Sequence, residues 1–403
     1  MKQILFLTGT RADFGKLKGL MRAVDAHRDF ECRLFVTGMH TLKLYGYTVN
    51  EIRKAGFEPF HVFMNQHLGD PMEMVLANTI TGLSRYVHED PPDLLVVHGD
   101  RVETLAGAIV GAFTNTLVAH IEGGERSGTV DELVRHSASK LAHLHFVANE
   151  EARARLIQMG ERREAIHVVG SPDIDVMMSD DLPSIEAAFA RYELDFDPYA
   201  LALFHPVTTD IDGMEDHARE FVTALLESGR NYVVIYPNND EGAAHILRQY
   251  ERLAGNPHFR VFPSIGFEYF LTLLEHARFV VGNSSAGIRE APVYGVRSIN
   301  VGDRQANRYT ADSIVDTGYG HEEILAAIER VESAGEPAAR SLHFGRGDSA
   351  KRFMRALEEP ALWETPRQKS FLDVPILEPG SGARSSGPEA GDGVASGTAE
   401  PER

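Results

Sequence analysis

The chain has 403 residues, of which 43% are hydrophobic and 25% charged, and it carries a formal net charge of -19 at pH 7. The length suits two domains of ordinary size with the composition of a globular protein, and the acidic balance argues against nucleic acid or an anionic membrane as partner. A lone cysteine, Cys32, excludes an internal disulfide and any CxxC metal or redox site.

The N-terminal half alternates strand and helix. Short apolar runs at 4–7, 32–36, 60–63, 94–97, 117–119, 144–148 and 166–169 read as buried strands. Between them, helical spacing of apolar residues marks 16–27, 47–55, 72–89, 102–114, 131–143 and 150–159. Such alternation predicts a parallel sheet with helices on both faces. A second series follows, with strands at 199–204, 232–236, 259–262, 279–281 and 298–301 and helices at 216–228, 243–253, 266–276, from Ile288, and at 320–334. The reading is two doubly wound domains, 1–172 and 199–347, joined by a connection over 173–198 and facing each other across a cleft. A late helix and extension, 348–375, is expected to pack back on the first domain. Residues 376–403, almost free of apolar side chains, read as a disordered tail. No apolar run approaches the roughly 18 residues of a membrane span and the N-terminus lacks a signal-peptide pattern, so a cytoplasmic protein is expected.

Chemistry concentrates where strands end. The stretches Val96-Val97-His98-Gly99-Asp100 and His120-Ile121-Glu122-Gly123-Gly124-Glu125 bring several carboxylates to neighbouring strand ends. Such crowding is costly unless a substrate, a proton or a cation makes use of it, which points to an enzyme. Asp131 and Glu132 open a helix, where capping is the ordinary role of an acidic residue. The loop Thr8-Gly9-Thr10-Arg11 reads as an anion site of low specificity, with neither a P-loop nor a GxGxxG fingerprint. In the second half, Gly282-Asn283-Ser284-Ser285-Ala286-Gly287 opens a helix and suits a phosphate, although the serines would also serve as caps. Glu290, about one and a half turns on, is placed to accept from ribose hydroxyls, and Arg304 to reinforce the anion site or form a surface ion pair. His205 ends the first strand of that half and reads as a structural histidine or as one reaching across the cleft. No convincing HxH or HExxH metal spacing is found, so neither a metal nor a cofactor is expected, although the carboxylate cluster leaves a metal open.

Together with Asp131-Glu132, Arg135-His136 and Gly302-Asp303-Arg304-Gln305, these segments resemble the hydrolysing UDP-N-acetylglucosamine 2-epimerases from the N-terminus to about Ala356. The resemblance implies a GT-B-like architecture of two Rossmann-like domains and a nucleotide-sugar substrate. Within the family, His98-Gly99-Asp100, His205-Pro206-Val207-Thr208-Thr209 and Tyr236-Pro237-Asn238-Asn239-Asp240 look closest to the branch acting on nucleotide-linked N,N′-diacetylbacillosamine in legionaminic acid synthesis; the other branch converts UDP-N-acetylglucosamine for sialic acid. By motif match, Asp100, Glu122 and Asp131 or Glu132 supply the acid–base carboxylates, with His205 assisting. Arg11, Asn283, Ser284, Ser285, Glu290 and Arg304 hold the nucleotide. A homo-oligomer, dimer or tetramer, is expected by analogy. Rival readings are a non-hydrolysing 2-epimerase, a GT-B glycosyltransferase and a nucleotide-sugar sensor without activity.

Overall fold

The computed structural model describes residues 1–58, 60–127, 130–335 and 337–373; the tail expected at 376–403 lies outside them. The first half runs β1 (Lys2–Thr8), α1 (Arg11–Asp25), β2 (Phe30–Val36), α2 (Val49–Lys54), β3 (Phe60–Val62), α3 (Met72–Glu89), β4 (Leu94–His98), α4 (Val102–Phe113), β5 (Leu117–Ile121), α5 (Val130–Leu141), β6 (Leu144–Val147), α6 (Glu150–Gln158) and β7 (Ile166–Val168). Its seven strands are all parallel, in the order β3-β2-β1-β4-β5-β6-β7. Ile4, Phe6, Leu94 and Val96 face one layer of core, and Leu5, Leu7, Leu95 and Val97 the other. Burial on both faces explains why these strands read as unbroken apolar runs.

Two helices, α7 (Pro172–Met177) and α8 (Ile185–Tyr192), occupy what the sequence suggested was mere connection. Each is too short to show a helical period, but Ile174, Met177 and Ala188 bury against the second half. That half runs β8 (Ala200–Leu203), α9 (Met214–Glu227), β9 (Tyr232–Ile235), α10 (Ala243–Tyr250), β10 (Phe259–Phe262), α11 (Phe267–Glu275), β11 (Phe279–Gly282), α12 (Ala291–Tyr294), β12 (Arg297–Val301), β13 (Ile314–Thr317) and α13 (His321–Ser333). Six parallel strands take the order β10-β9-β8-β11-β12-β13. Finally α14 (Ser349–Glu358) and α15 (Pro360–Trp363) return to the first half, where Phe353, Ala356, Leu357 and Leu362 join its core.

Two local departures from expectation bear on the site. Helix α1 begins at Arg11 rather than Lys16, because the Thr10 hydroxyl accepts from the Asp13 N–H and caps it there. The helix expected after Gly287 is only a 3-10 turn, Ser285–Gly287, followed by the four residues of α12, which has Pro292 in its first turn and ends at Gly295 in the left-handed region. So short an element supplies no appreciable dipole to a phosphate.

Candidate active site

In each sheet the strand order reverses once, between β1 and β4 and between β8 and β11. Ligands of open α/β sheets lodge outside the carboxyl ends of strands at such reversals. Two adjoining cavities lie there. One, about 150 Å³, is bounded mainly by residues following β1, β4 and β5, with Ser285, Arg289, Arg304 and Arg308 contributed by the second half. The other, about 320 Å³, is lined by Arg11, Tyr45, His205, Tyr236, Ser264 and Ser284 among others. Thr10, Asp100, Arg101, Asp131, Ser285 and Arg304 border both and form the junction.

Around the first cavity five carboxylates, Asp13, Asp100, Glu103, Glu122 and Asp131, meet six cations, Lys16, Arg101, Arg135, Arg289, Arg304 and Arg308. The crowding inferred from sequence is therefore offset by guanidinium groups, three of them from the other half. Asp100 accepts from Ser127 Oγ at 2.9 Å and pairs with Arg135 and, at 3.4 Å, with Arg308. Burial pushes its carboxyl up, but Arg135 and then Arg308 outweigh this and hold it below the usual carboxylate range. Glu122 accepts from Arg289 Nη2 at 2.7 Å and from the Ser171 hydroxyl. Here too burial opposes ionisation, and Arg289 followed by His98 holds the group well below its ordinary value.

His98 stands between two carboxylates. Its Nδ1 lies 2.6 Å from Asp13 Oδ1, and its Nε2 lies 3.2 Å from Glu122 Oε2, near enough for charge pairing but not aligned as a hydrogen bond. Burial lowers the affinity of the imidazole for its proton, but Glu122 and Asp13 raise it to about 10. Asp131 goes the opposite way from its two fellow carboxylates. Burial, then the charge of Asp100, raises it above its normal value, against the pull of Arg304 at 3.3 Å.

The remaining residues named from sequence separate into two sets. Arg11 lines the second cavity, donating to Ser264 Oγ at 3.0 Å and pairing with Glu51. His205 lines it too, with Nδ1 accepting from the Asn238 N–H at 3.1 Å; burial first, then Arg304 and Arg101, pushes its pKa down to about 3, so the neutral ring carries its proton on Nε2. Ser284 borders that cavity but its hydroxyl accepts from the Ala286 N–H, the capping role. Ser285 and Arg304 sit at the junction. Three residues lie elsewhere. Asn283 is fully buried and clasps the His205 backbone, accepting from its N–H at 2.6 Å and donating to its carbonyl at 2.9 Å, which ties β8 to β11. Glu290, expected to meet a ribose, borders neither cavity and is held by Lys16 at 2.6 Å. Glu132 faces the Ser127 N–H and His136, outside both cavities. Conversely, sequence reasoning passed over Lys16, Arg289 and Arg308, gave Arg135 no role beyond the resemblance, and gave His98 little weight. The one available signal was Arg289, charged like its neighbour Glu290 within an otherwise small and apolar stretch, 286–294. Among the described residues no group of three or more His, Cys, Asp or Glu is arranged to hold a metal ion, and no helix is long and apolar enough to cross a membrane.

A family model described as UDP-N-acetylglucosamine 2-epimerase matches residues 22–358. The chain belongs to the UDP-N-acetylglucosamine 2-epimerase family. It is 51% identical over 377 residues to the UDP-N-acetylglucosamine 2-epimerase of Neisseria meningitidis serogroup B, covering 93% of this chain and 100% of that one. To the UDP-N,N′-diacetylbacillosamine 2-epimerase (hydrolyzing) of Legionella pneumophila it is 33% identical over 366 residues, 89% of this chain and 96% of the relative. Among solved structures, the Methanocaldococcus jannaschii UDP-GlcNAc 2-epimerase in complex with UDP-GlcNAc and UDP matches with a TM-score of 0.74 at 20% identity, over 89% of this chain and 99% of that one. The likeness is one of fold, and it shows that this epimerase-family chain has the GT-B-like architecture of two doubly wound sheets.

Proposed function

We propose that this chain is a hydrolysing 2-epimerase, converting UDP-N-acetylglucosamine and water to N-acetylmannosamine and UDP and so supplying nonulosonic (sialic or legionaminic) acid synthesis. The observation that carries the reading is the junction of the cavities: an acid–base cavity opens, past Ser285 and Arg304, into one large enough for a nucleotide. Two relatives whose names include "hydrolyzing", from Legionella pneumophila and Campylobacter jejuni, are 33% and 30% identical to this chain; among plainly named epimerases, that of Neisseria meningitidis is 51% identical and those of Yersinia pestis and Salmonella typhimurium 24% and 23%, so the names alone do not divide hydrolysing from non-hydrolysing enzymes. A polysialic acid biosynthesis protein of Escherichia coli, 29% identical over 81% of this chain, supports the pathway. The 51% relative is named for UDP-N-acetylglucosamine, which favours that substrate over diacetylbacillosamine, the branch the motifs had suggested.

In this reading the sugar occupies the first cavity, the uridine the second, and the diphosphate the junction. Loss of the C2 proton and cleavage of the C1–O bond give a 2-acetamidoglucal and UDP. Water then adds across C1=C2, its oxygen at C1 and a proton at C2 on the opposite face. Asp131, whose carboxyl binds a proton more tightly than those of Asp100 and Glu122, serves proton transfer. Asp100 and Glu122 stay charged and stabilise positive character at C1, while Arg304, Ser285 and the Nε2–H of His205 receive the departing diphosphate. The test is phosphorus and proton NMR of the products in deuterated water. Free N-acetylmannosamine with one deuterium at C2, plus UDP, is expected, whereas N-acetylmannosamine still attached to UDP would mean that the enzyme does not hydrolyse. UDP- and GDP-diacetylbacillosamine run alongside decide the sugar.

A further inference from the structure

Glu103, on the first turn of α4, is 3% exposed and lines the first cavity, yet neither oxygen of its carboxyl has a hydrogen-bond partner. Its nearest cation, Arg101 Nε, stands 3.5 Å away and is likewise without a hydrogen bond. A buried carboxyl left unsatisfied is costly, and such a group facing a cavity is paired when a ligand brings donors to it. Its position in the cavity is defined. A side chain on Gly38 would meet Glu103 Oε1 at 2.6 Å, and one on Gly9 would meet its Cδ at 3.0 Å, so the carboxyl rests over the loops that follow β1 and β2. Glu122 follows β5, with β4 and His98 between. The cavity thus runs along the strand ends from Glu103 to Glu122. Glu103, unlike Asp100 and Asp131, does not border the junction with the nucleotide cavity.

We propose that Glu103 is a specificity-determining residue that accepts hydrogen bonds from the C4 and C6 hydroxyls of a hexosamine, selecting a fully hydroxylated 2-acetamido sugar over a 4-acetamido-6-deoxy one. The proposal rests on the reading of the first cavity as the sugar pocket. Glu103 lines the first cavity and not the second, and its carboxyl stands 3.5 Å from Arg101 at the junction, so it faces the sugar and not the nucleotide. A 6-deoxy sugar sets a methyl against a carboxyl that needs donors, and a site built to hydrogen-bond a hydroxyl rejects an analogue lacking it far more strongly than an apolar site does. A 4-acetamido group brings a single N–H in place of a hydroxyl and a bulkier acetyl with it.

The experiment measures kcat/KM for UDP-N-acetylglucosamine and its 4-deoxy and 6-deoxy analogues with the wild type, Glu103→Ala and Glu103→Gln, together with UDP affinity by calorimetry. The wild type should lose about 10- to 100-fold on at least one analogue. Glu103→Ala should lose a similar factor on the parent substrate, cease to discriminate against that analogue, and bind UDP as the wild type does. Wild-type kinetics in Glu103→Ala, or discrimination that survives in it, would overturn the proposal. Should that variant fail to fold, Glu103→Gln, which keeps the volume and one acceptor, and the wild-type analogue series decide, and equal turnover of all three sugars by the wild type overturns it. Product identity in the same reactions reports separately on hydrolysis: a UDP-linked product defeats the hydrolytic reading and leaves the result for Glu103 standing.

Discussion

At the scale of single residues, His98 is an interior cation because Asp13 and Glu122 flank it. Its pKa in the folded chain, about 10, lies above its ordinary 6.5. The stability it contributes is therefore fully present below pH 6.5 and is lost as pH rises toward 10, at no more than about 1.4 kcal/mol per pH unit. Denaturant midpoints measured from pH 6 to 10 should fall in the wild type and fall less steeply in His98→Gln; parallel curves would show that the ring is not protonated in the folded state. Glu122 has a second unusual property, a φ of +62°, in the left-handed region where a non-glycine residue is uncommon. Such backbone is kept where surrounding contacts impose it, here the hold of Arg289 and Ser171 on its carboxyl and of Phe146 on its N–H. Asp100, Glu122, Ser285 and Arg304 were legible as cavity residues because each closely follows a strand whose apolar run announces it, whereas Asp131 opens α5 and was named only by motif match. Lys16, Arg289 and Arg308 were not, since what distinguishes them is a partner more than 150 residues away.

At the scale of elements, α14 takes part in the first core although it follows the whole second half in sequence. Phe353 is fully buried and meets Phe146 edge-on at 4.7 Å between centroids. Phe353→Ala should cost roughly 3–5 kcal/mol, read as a lower urea midpoint with UDP affinity retained in the folded fraction; a loss under about 1 kcal/mol would mean that α14 is a dispensable lid. Most of the strands could be read from sequence because a strand buried on both faces has few polar letters. β13 could not: Ile314-Val315-Asp316-Thr317 lies at the sheet edge, half-exposed, and offers only two apolar residues. α7 and α8 escaped for a different reason, since six or eight residues complete too few turns to display a period.

Across the whole molecule, the two sheets are joined by ion pairs, buried at Lys16 and Arg289 and partly exposed at Lys18. Lys16 of α1 reaches Glu290 at 2.6 Å and Asp173 at 3.1 Å, Lys18 reaches Glu268 at 2.6 Å, and Arg289 binds both Glu122 and Glu125. Burial disfavours the charge on Lys16, but Glu290 and Asp173 more than restore it and hold its pKa above the usual lysine value. Lys16→Met should strand two buried carboxylates and destabilise the fold by roughly 3–5 kcal/mol. Adding Asp173→Asn and Glu290→Gln should recover part of the loss in denaturant melts; no recovery would assign the effect to packing of the lysine stem.

The pairing of three cavity carboxylates with arginines from the opposite half, Asp100 with Arg308, Glu122 with Arg289 and Asp131 with Arg304, has a consequence for how such a chain can be altered. A hybrid that took its first sheet from one chain and its second from another would keep these ion pairs only where both parents carry both partners. The halves are thus not interchangeable modules. Any change of substrate that moves one carboxylate requires a matching change in the other half of the sequence.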